Sequence, residues 1–195
     1  AVFTVMSDYD QHIYVILTKR PDNMLKFWQW KREQHGVDWR PKDNVWLGVT
    51  AENQEQANKR IPILLQIPAA KRFVSIEPML GPVDLRELPL FANYPLDWVI
   101  CGGETGHKSR PMHPDWVRSL RDQSKAAGTP FFFKQWGEWL PFGENNMVRA
   151  TALDKNYNYY EFKTSDGSVF RKKVESDSPK GHNTSYFRFG RKENG

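Results

Sequence analysis

The sequence predicts an α/β protein: a run of strand–helix units forming part of a parallel (β/α) barrel, followed by a small antiparallel β appendage. Three observations predict it. Five short apolar runs rich in β-branched and aromatic residues recur through the first two-thirds of the chain. They are nearly continuous rather than alternating, the pattern of strands covered on both faces. Their starts lie about 25 to 33 residues apart, close to the roughly 30 residues of a βαβ unit.

The elements follow in order. Ala1 to Met6 reads as the second half of a helix, and Ile13 to Leu17 as the first strand. Pro21-Asp22-Asn23 opens a helix running from Met24 to Gln34, with proline in the first turn, where its missing N–H is not needed. Val45 to Val49 is the second strand. Asn53 to Leu65 is helical, with a break expected near Pro62 because proline strains a helix interior. Phe73 to Ile76 is the third strand. The connection from Gly81 to Pro95 is interrupted by Pro82 and Pro89 and holds at most a short helical turn. Trp98 to Cys101 is the fourth strand. Pro114 to Ala127 is the clearest helix: proline opens it, Trp116, Val117 and Leu120 repeat at helical spacing, and Gly128 stands where a C-terminal cap belongs. Phe131 to Phe133 is the fifth strand.

After Trp139 the pattern changes. Tyr157 to Lys163 and Ser168 to Val174 flank the turn sequence Ser165-Asp166-Gly167, and Tyr186 to Phe189 adds a third strand. Residues 1–139 therefore read as the barrel segment and residues 140–195 as a hairpin-rich appendage.

Composition narrows the function. The chain has 195 residues, 28 basic and 23 acidic, for a net charge of +5. That surplus points weakly to a polyanionic partner, since a nucleic-acid face needs its basic residues gathered on one side. Cys101 is the single cysteine, so neither an internal disulfide nor a metal site of several thiolates can form. No stretch approaches the roughly 20 apolar residues of a membrane span, and no signal pattern opens the chain, so the reading is cytoplasmic. Ala1 is no start methionine and Gly195 ends a basic, polar run. The chain is therefore expected to be a fragment of a longer protein.

In parallel β/α architectures the working residues project from the C-terminal strand ends and the loops that follow. Here those positions are polar five times over. They carry Thr18-Lys19-Arg20, Thr50-Ala51-Glu52-Asn53, Glu77-Pro78, Gly102-Gly103-Glu104-Thr105-Gly106 and Lys134-Gln135-Trp136. Charges gathered on one rim make either a binding site or an ion-pair network such as Lys19–Glu52 or Lys134–Glu104. The adjacent glycines either form an anion nest or a tight strand-to-loop turn. They lack the lysine and serine of a phosphate loop. Arg110 can hold a carboxylate or phosphate with its forked donors, and His113 reads as the cap of the helix opened by Pro114. Cys101 reads as a small buried hydrophobe. Among the eight tryptophans, Trp28, Trp30 and Trp116 fall in helices, while Trp136 and Trp139 fall near the rim.

Several segments together resemble a known family. They are Leu17 to Pro21, Trp46 to Asn53, Ser75 to Pro82, Asp97 to Glu104, Arg110 to His113 and Phe132 to Gly137. They are similar to motifs of the uncharacterised phage and prophage proteins known by the phage gene-product names 37 and 68, a family resembling radical SAM enzymes. The resemblance runs from about Ala1 to Trp139. It implies a radical-SAM-like barrel that uses S-adenosylmethionine and a 4Fe–4S cluster held by three upstream cysteines. No such trio stands in this chain, and Cys101 alone cannot hold a cluster.

By that resemblance, Lys19, Arg20, Glu52, Asn53, Glu77, Gly102, Gly103, Glu104, Arg110, Lys134 and Gln135 line a cofactor and substrate pocket. Glu52 and Glu77 would bind cofactor hydroxyls or amine, and Lys19 and Arg20 a carboxylate or phosphate. No catalytic residue and no metal ligand is assigned. Two other readings stand beside this one: a cluster-free enzyme forming a Schiff base through Lys134 or Lys19, and a nucleic-acid-binding phage module drawing on Arg171-Lys172-Lys173. Substrate, reaction and oligomeric state are left open.

Overall fold

The structure, a computed structural model, describes residues 2–36, 38–88, 96–142, 146–154 and 159–173. After helix α1 (Val2–Asp8) come strand β1 (Tyr14–Thr18), α2 (Pro21–His35), β2 (Val45–Thr50), α3 (Gln54–Leu65) and β3 (Lys71–Ile76). A single 3-10 turn at Leu85–Glu87 precedes β4 (Trp98–Gly102), α4 (Pro114–Ala126) and β5 (Phe131–Gln135). The five strands form one parallel sheet in the order β1-β2-β3-β4-β5. Parallel strands in an order equal to chain order, joined by helices or loops, are the arrangement of part of a β/α fold.

The register assigns side chains to faces. Ile16 pairs with Leu47, Val49 with Val74, Val74 with Val99, and Cys101 with Phe133. These positions share one face and form the core with Trp28 of α2, Ala57, Ile61 and Leu64 of α3, and Val117 and Leu120 of α4. The other face carries Val15, Leu17, Trp46, Phe73, Trp98, Ile100 and Phe132. On it Val15, Leu17 and Phe132 are exposed. Coverage on both faces was the expectation, and among the described residues it fails for this second face. Apolar residues at successive positions produce the same continuous run whether the second face is covered or open.

Helix α3 runs through Pro62 without a break, contrary to expectation. The physical reason is packing. Pro62 removes one hydrogen bond near the helix end, a defect of roughly 3 kcal/mol. Ile61, Leu64 and Leu65 are buried around it, each contributing about 1.5–3 kcal/mol, so burial outweighs the defect. The other caps follow the sequence. Pro21 and Pro114 occupy first-turn positions, the His113 ring accepts from the Asp115 N–H at 3.2 Å, and Gly128 follows α4 with φ +66°. His113 is thus a helix cap, as read.

Among its described residues the appendage contains four antiparallel strands: β6 (Leu140–Phe142), β7 (Asn146–Asp154), β8 (Tyr159–Thr164) and β9 (Val169–Lys173), paired in that order. The turn between β8 and β9 falls at Ser165-Asp166-Gly167, where Gly167 adopts φ +93°. Strands β6 and β7 were not anticipated. The strand expected at Tyr186 to Phe189 lies outside the described residues, as do Pro89 and Pro95. Just before β6, Trp139 donates its indole N–H to the Ser109 carbonyl at 2.8 Å.

Candidate functional site

At the C-terminal end of the sheet the hydrogen-bond ladder continues past the strands into the loops. Ala51 N–H donates to the Ser75 carbonyl at 3.0 Å, and Leu80 N–H to the Glu52 carbonyl at 2.7 Å. Met79 N–H donates to the Gly102 carbonyl at 2.9 Å, and Gly103 N–H to the Gln135 carbonyl at 2.8 Å. The rim is therefore a laced backbone edge. The peptide bond between Glu77 and Pro78 is cis.

The glycines serve this lacing. A Cβ on Gly103 would stand 1.9 Å from the Trp136 carbonyl oxygen, and one on Gly137 would stand 2.1 Å from the Glu104 carbonyl oxygen. The loops after β4 and β5 touch backbone to backbone, and only glycine permits that. Of the two readings of Gly102-Gly103, close loop packing has direct geometric support.

Three carboxylates point into the rim, each held by cations. Glu52 meets Lys19 at 2.5 Å and Arg60 at 2.8 Å, and Arg60 also donates to the Thr50 carbonyl at 2.7 Å. Burial pushes the Glu52 carboxyl up. The Lys19 hydrogen bond, the local backbone and the Arg60 charge together overcome that and leave it below its ordinary value. Glu77 meets Lys134 at 3.0 Å and accepts from the Gln135 amide at 3.4 Å. Glu104 is gripped by Arg110, whose backbone N–H, Nε and Nη2 donate at 2.7, 2.9 and 2.7 Å. The Arg110 side chain is the largest cause that brings Glu104 down to about 2.

The Glu77–Lys134 bridge crosses a strand. Strand β4 lies between β3 and β5, and Gly102 is the β4 residue underneath. A Cβ at Gly102 would stand 3.0 Å from Glu77 Oε1. The missing side chain is what leaves room for the carboxylate.

Sequence reasoning and structure agree that Lys19 pairs with Glu52, but Lys134 meets Glu77 rather than Glu104. Asn53 caps α3, its side-chain oxygen accepting from the Gln56 N–H at 3.0 Å. Arg20 is exposed and has no ion-pair partner among the described residues. Arg60 was missed. Its signal was a lone arginine next to Ile61 and one turn before Leu64 in α3, eight residues beyond Glu52. Trp46 and Trp98, both on strands, were also passed over in favour of Trp136 and Trp139. Trp136 packs on Phe133, with ring centres 4.7 Å apart, and Trp139 is buried.

Cys101 lies buried beneath the rim, 3.7 Å from Met79 Sδ and 4.0 Å from Met112 Sδ. Burial, with a smaller push from the Glu77 charge, raises its thiol to about 12. Among the described residues no three His, Cys, Asp or Glu side chains are placed to hold a metal ion, and no helix is long and apolar enough to cross a membrane. The surface depression bounded by Asp10, Arg40, Lys42 and Asn44 lies at the opposite end of β1 and β2 from this rim.

A family model described as "Protein of unknown function (DUF5131)" matches residues 1–180. No curated protein and no solved structure matches the chain.

Proposed function

The chain belongs to this family of unknown function, and on that premise we propose that its rim is the cofactor- and substrate-binding end of a radical-SAM-like (β/α) barrel, taking S-adenosylmethionine. The observation that carries the reading is Glu77. It sits at the end of a central strand, opposed by Lys134 and Gln135 across a glycine that keeps the space above β4 open.

Magnitudes separate recruitable groups from structural ones. Glu52 and Arg60 side chains are 12% and 14% exposed, and removing one partner of such a buried pair costs about 3–5 kcal/mol. That pair is structural. Lys19 and Lys134 are half-exposed, and ion pairs with an exposed partner contribute about 0–1 kcal/mol. These two lysines can change partners at little cost. A ligand ammonium or sulfonium would take the lysine's place at Glu77, and the freed Lys134, Lys19 or the exposed Arg20 would hold a ligand carboxylate.

The donor set therefore suits the methionyl group of S-adenosylmethionine. It does not suit an iron–sulfur cluster, because this chain contributes one cysteine, and that one is buried. No cluster chemistry is derived from these residues. The Schiff-base alternative has weaker support, since such a lysine needs a desolvated amine and both rim lysines are half-exposed and ion-paired.

Calorimetric titration of S-adenosylmethionine into the full chain tests the proposal. Binding that weakens at least tenfold in Glu77→Ala is the expected result. Absence of binding, or unchanged affinity in both Glu77→Ala and Glu52→Ala, would remove it.

A further inference from the structure

The open face of the parallel sheet carries a cluster of aromatic rings that the rim reading does not use. Register places Leu17, Gly48, Phe73 and Trp98 in one row across four strands, with Val15 and Trp46 in the row before and Ile100 and Phe132 in the row after. Trp98 is the hub. Its ring centre lies 6.4 Å from Trp46, 6.0 Å from Phe73 and 6.2 Å from Phe132. Gly48 admits the Phe73 ring, since a Cβ there would stand 2.3 Å from the Phe73 Cζ. Phe73 is buried, forming the floor, while Phe132, Val15 and Leu17 remain about half-exposed.

Net positive charge borders this surface at its C-terminal end. Lys71 shares the face at the N-terminal end, where Asp97 pairs with it at 2.8 Å. Lys134, Lys19 and the exposed Arg20 stand at the C-terminal end. The strand positions of the face itself hold no carboxylate. The nearest ones, Glu52, Glu77 and Asp97, are already engaged by Lys19, Arg60, Lys134 and Lys71. The combination is aromatic in the middle and cationic along one margin, on a chain of net charge +5.

We infer that this face binds single-stranded nucleic acid by stacking bases on Trp98, Trp46 and Phe132. Three properties select that occupant. Every base has a π-face, so a row of aromatic rings accepts any sequence, at about 1–3 kcal/mol per stacked base. The rings extend from β2 to β5, three inter-strand gaps or about 14 Å, which suits consecutive bases better than one small ring. Cations gathered along the C-terminal margin of an apolar strip match a polymer whose phosphates run along one side of its bases. Open sheets of other folds stack two or three bases on their aromatics in the same manner. The flanking cations Lys19, Arg20 and Lys134 are shared with the rim, but the stacking surface at Phe132 and Leu17 takes no part in its ion-pair network.

The test is fluorescence anisotropy of a fluorescein-labelled oligothymidylate titrated with the full chain at increasing salt. The expected result is binding that falls steeply with salt and weakens about tenfold in Phe132→Ala, within the range of one lost stacking partner. A second variant, Leu17→Asp, puts a carboxylate on the same half-exposed face and should weaken binding as well. Circular dichroism confirms that each variant folds. Four results would overturn the inference. They are no binding at low salt, duplex bound as tightly as single strand, folded variants that both bind unchanged, and self-association abolished by Phe132→Ala with no oligonucleotide bound. The last would assign the face to a second copy of the chain. S-adenosylmethionine titration of the same variants should be unchanged, so failure of the rim reading and failure of this one are distinguishable.

Discussion

The carbonyl oxygen of Trp136 lies 1.9 Å from the point where a Cβ on Gly103 would stand. The contact joins the loops that follow β4 and β5, and both partners are backbone, so neither side can yield by rotating a side chain. Gly103→Ala is expected to lower stability by about 1–3 kcal/mol or more, the range of overpacked sites. Gly102→Ala meets only the flexible Glu77 side chain and should disturb ligand binding more than stability. Urea denaturation of both variants checks the contrast, and equal midpoints would contradict it.

Glu52 has two cationic partners of unequal standing. Arg60→Ala leaves the Thr50 carbonyl without its donor and the largely buried Glu52 carboxylate with only its half-exposed partner Lys19, and is expected to cost up to about 3–5 kcal/mol. Lys19→Ala removes a half-exposed partner and should cost about 0–1 kcal/mol. Comparable losses in equilibrium unfolding would mean that the burial of the Arg60 pair does not matter.

The Glu104 carboxyl falls from an ordinary 4.5 to about 2 in the folded chain, chiefly through Arg110. A carboxyl whose folded value is depressed contributes stability above its unfolded value. That contribution is lost as pH falls from about 4.5 through 2. Thermal melts across this window should show a decline that is shallower in Arg110→Ala. Identical acid profiles for the two proteins would refute the linkage.

With its thiol raised to about 12 by burial, Cys101 holds almost no thiolate at neutral pH and no exposed surface. Ellman's reagent should leave the native chain unlabelled and modify it fully in denaturant. Rapid native labelling would show that the region above Met79 and Met112 opens.

The rim was legible because its polar residues follow apolar runs at a regular interval. Lys19, Glu52, Glu77 and Lys134 could be placed at strand ends from that alone. Which cation meets which carboxylate was not legible. Lys134 reaches Glu77 because Gly102 leaves space across β4, and sequence does not display space. Arg60 was hidden inside a helix, where a lone arginine reads as surface charge. Asn53 sat next to Glu52 and was grouped with it, although its position before a helix also fits a cap. The open face escaped notice for a different reason: residues such as Trp46 and Trp98 look alike in sequence whether a second layer covers them or not. Strand β7 was missed because Asn146, Ala150 and Ala152 have low strand propensity, so its ladder is not signalled by side chains.

The sheet's strand order also bears on how the chain assembles. Each strand of the parallel sheet pairs with the one made just before it, at a sequence separation of about 25 to 33 residues, and among the described residues no parallel pairing waits for a distant segment. Loop closure stays short and similar at every step. Units emerging from a ribosome can therefore dock one at a time onto the growing edge of the sheet. The chain thus has a built-in order of assembly that runs from its N-terminal to its C-terminal strands.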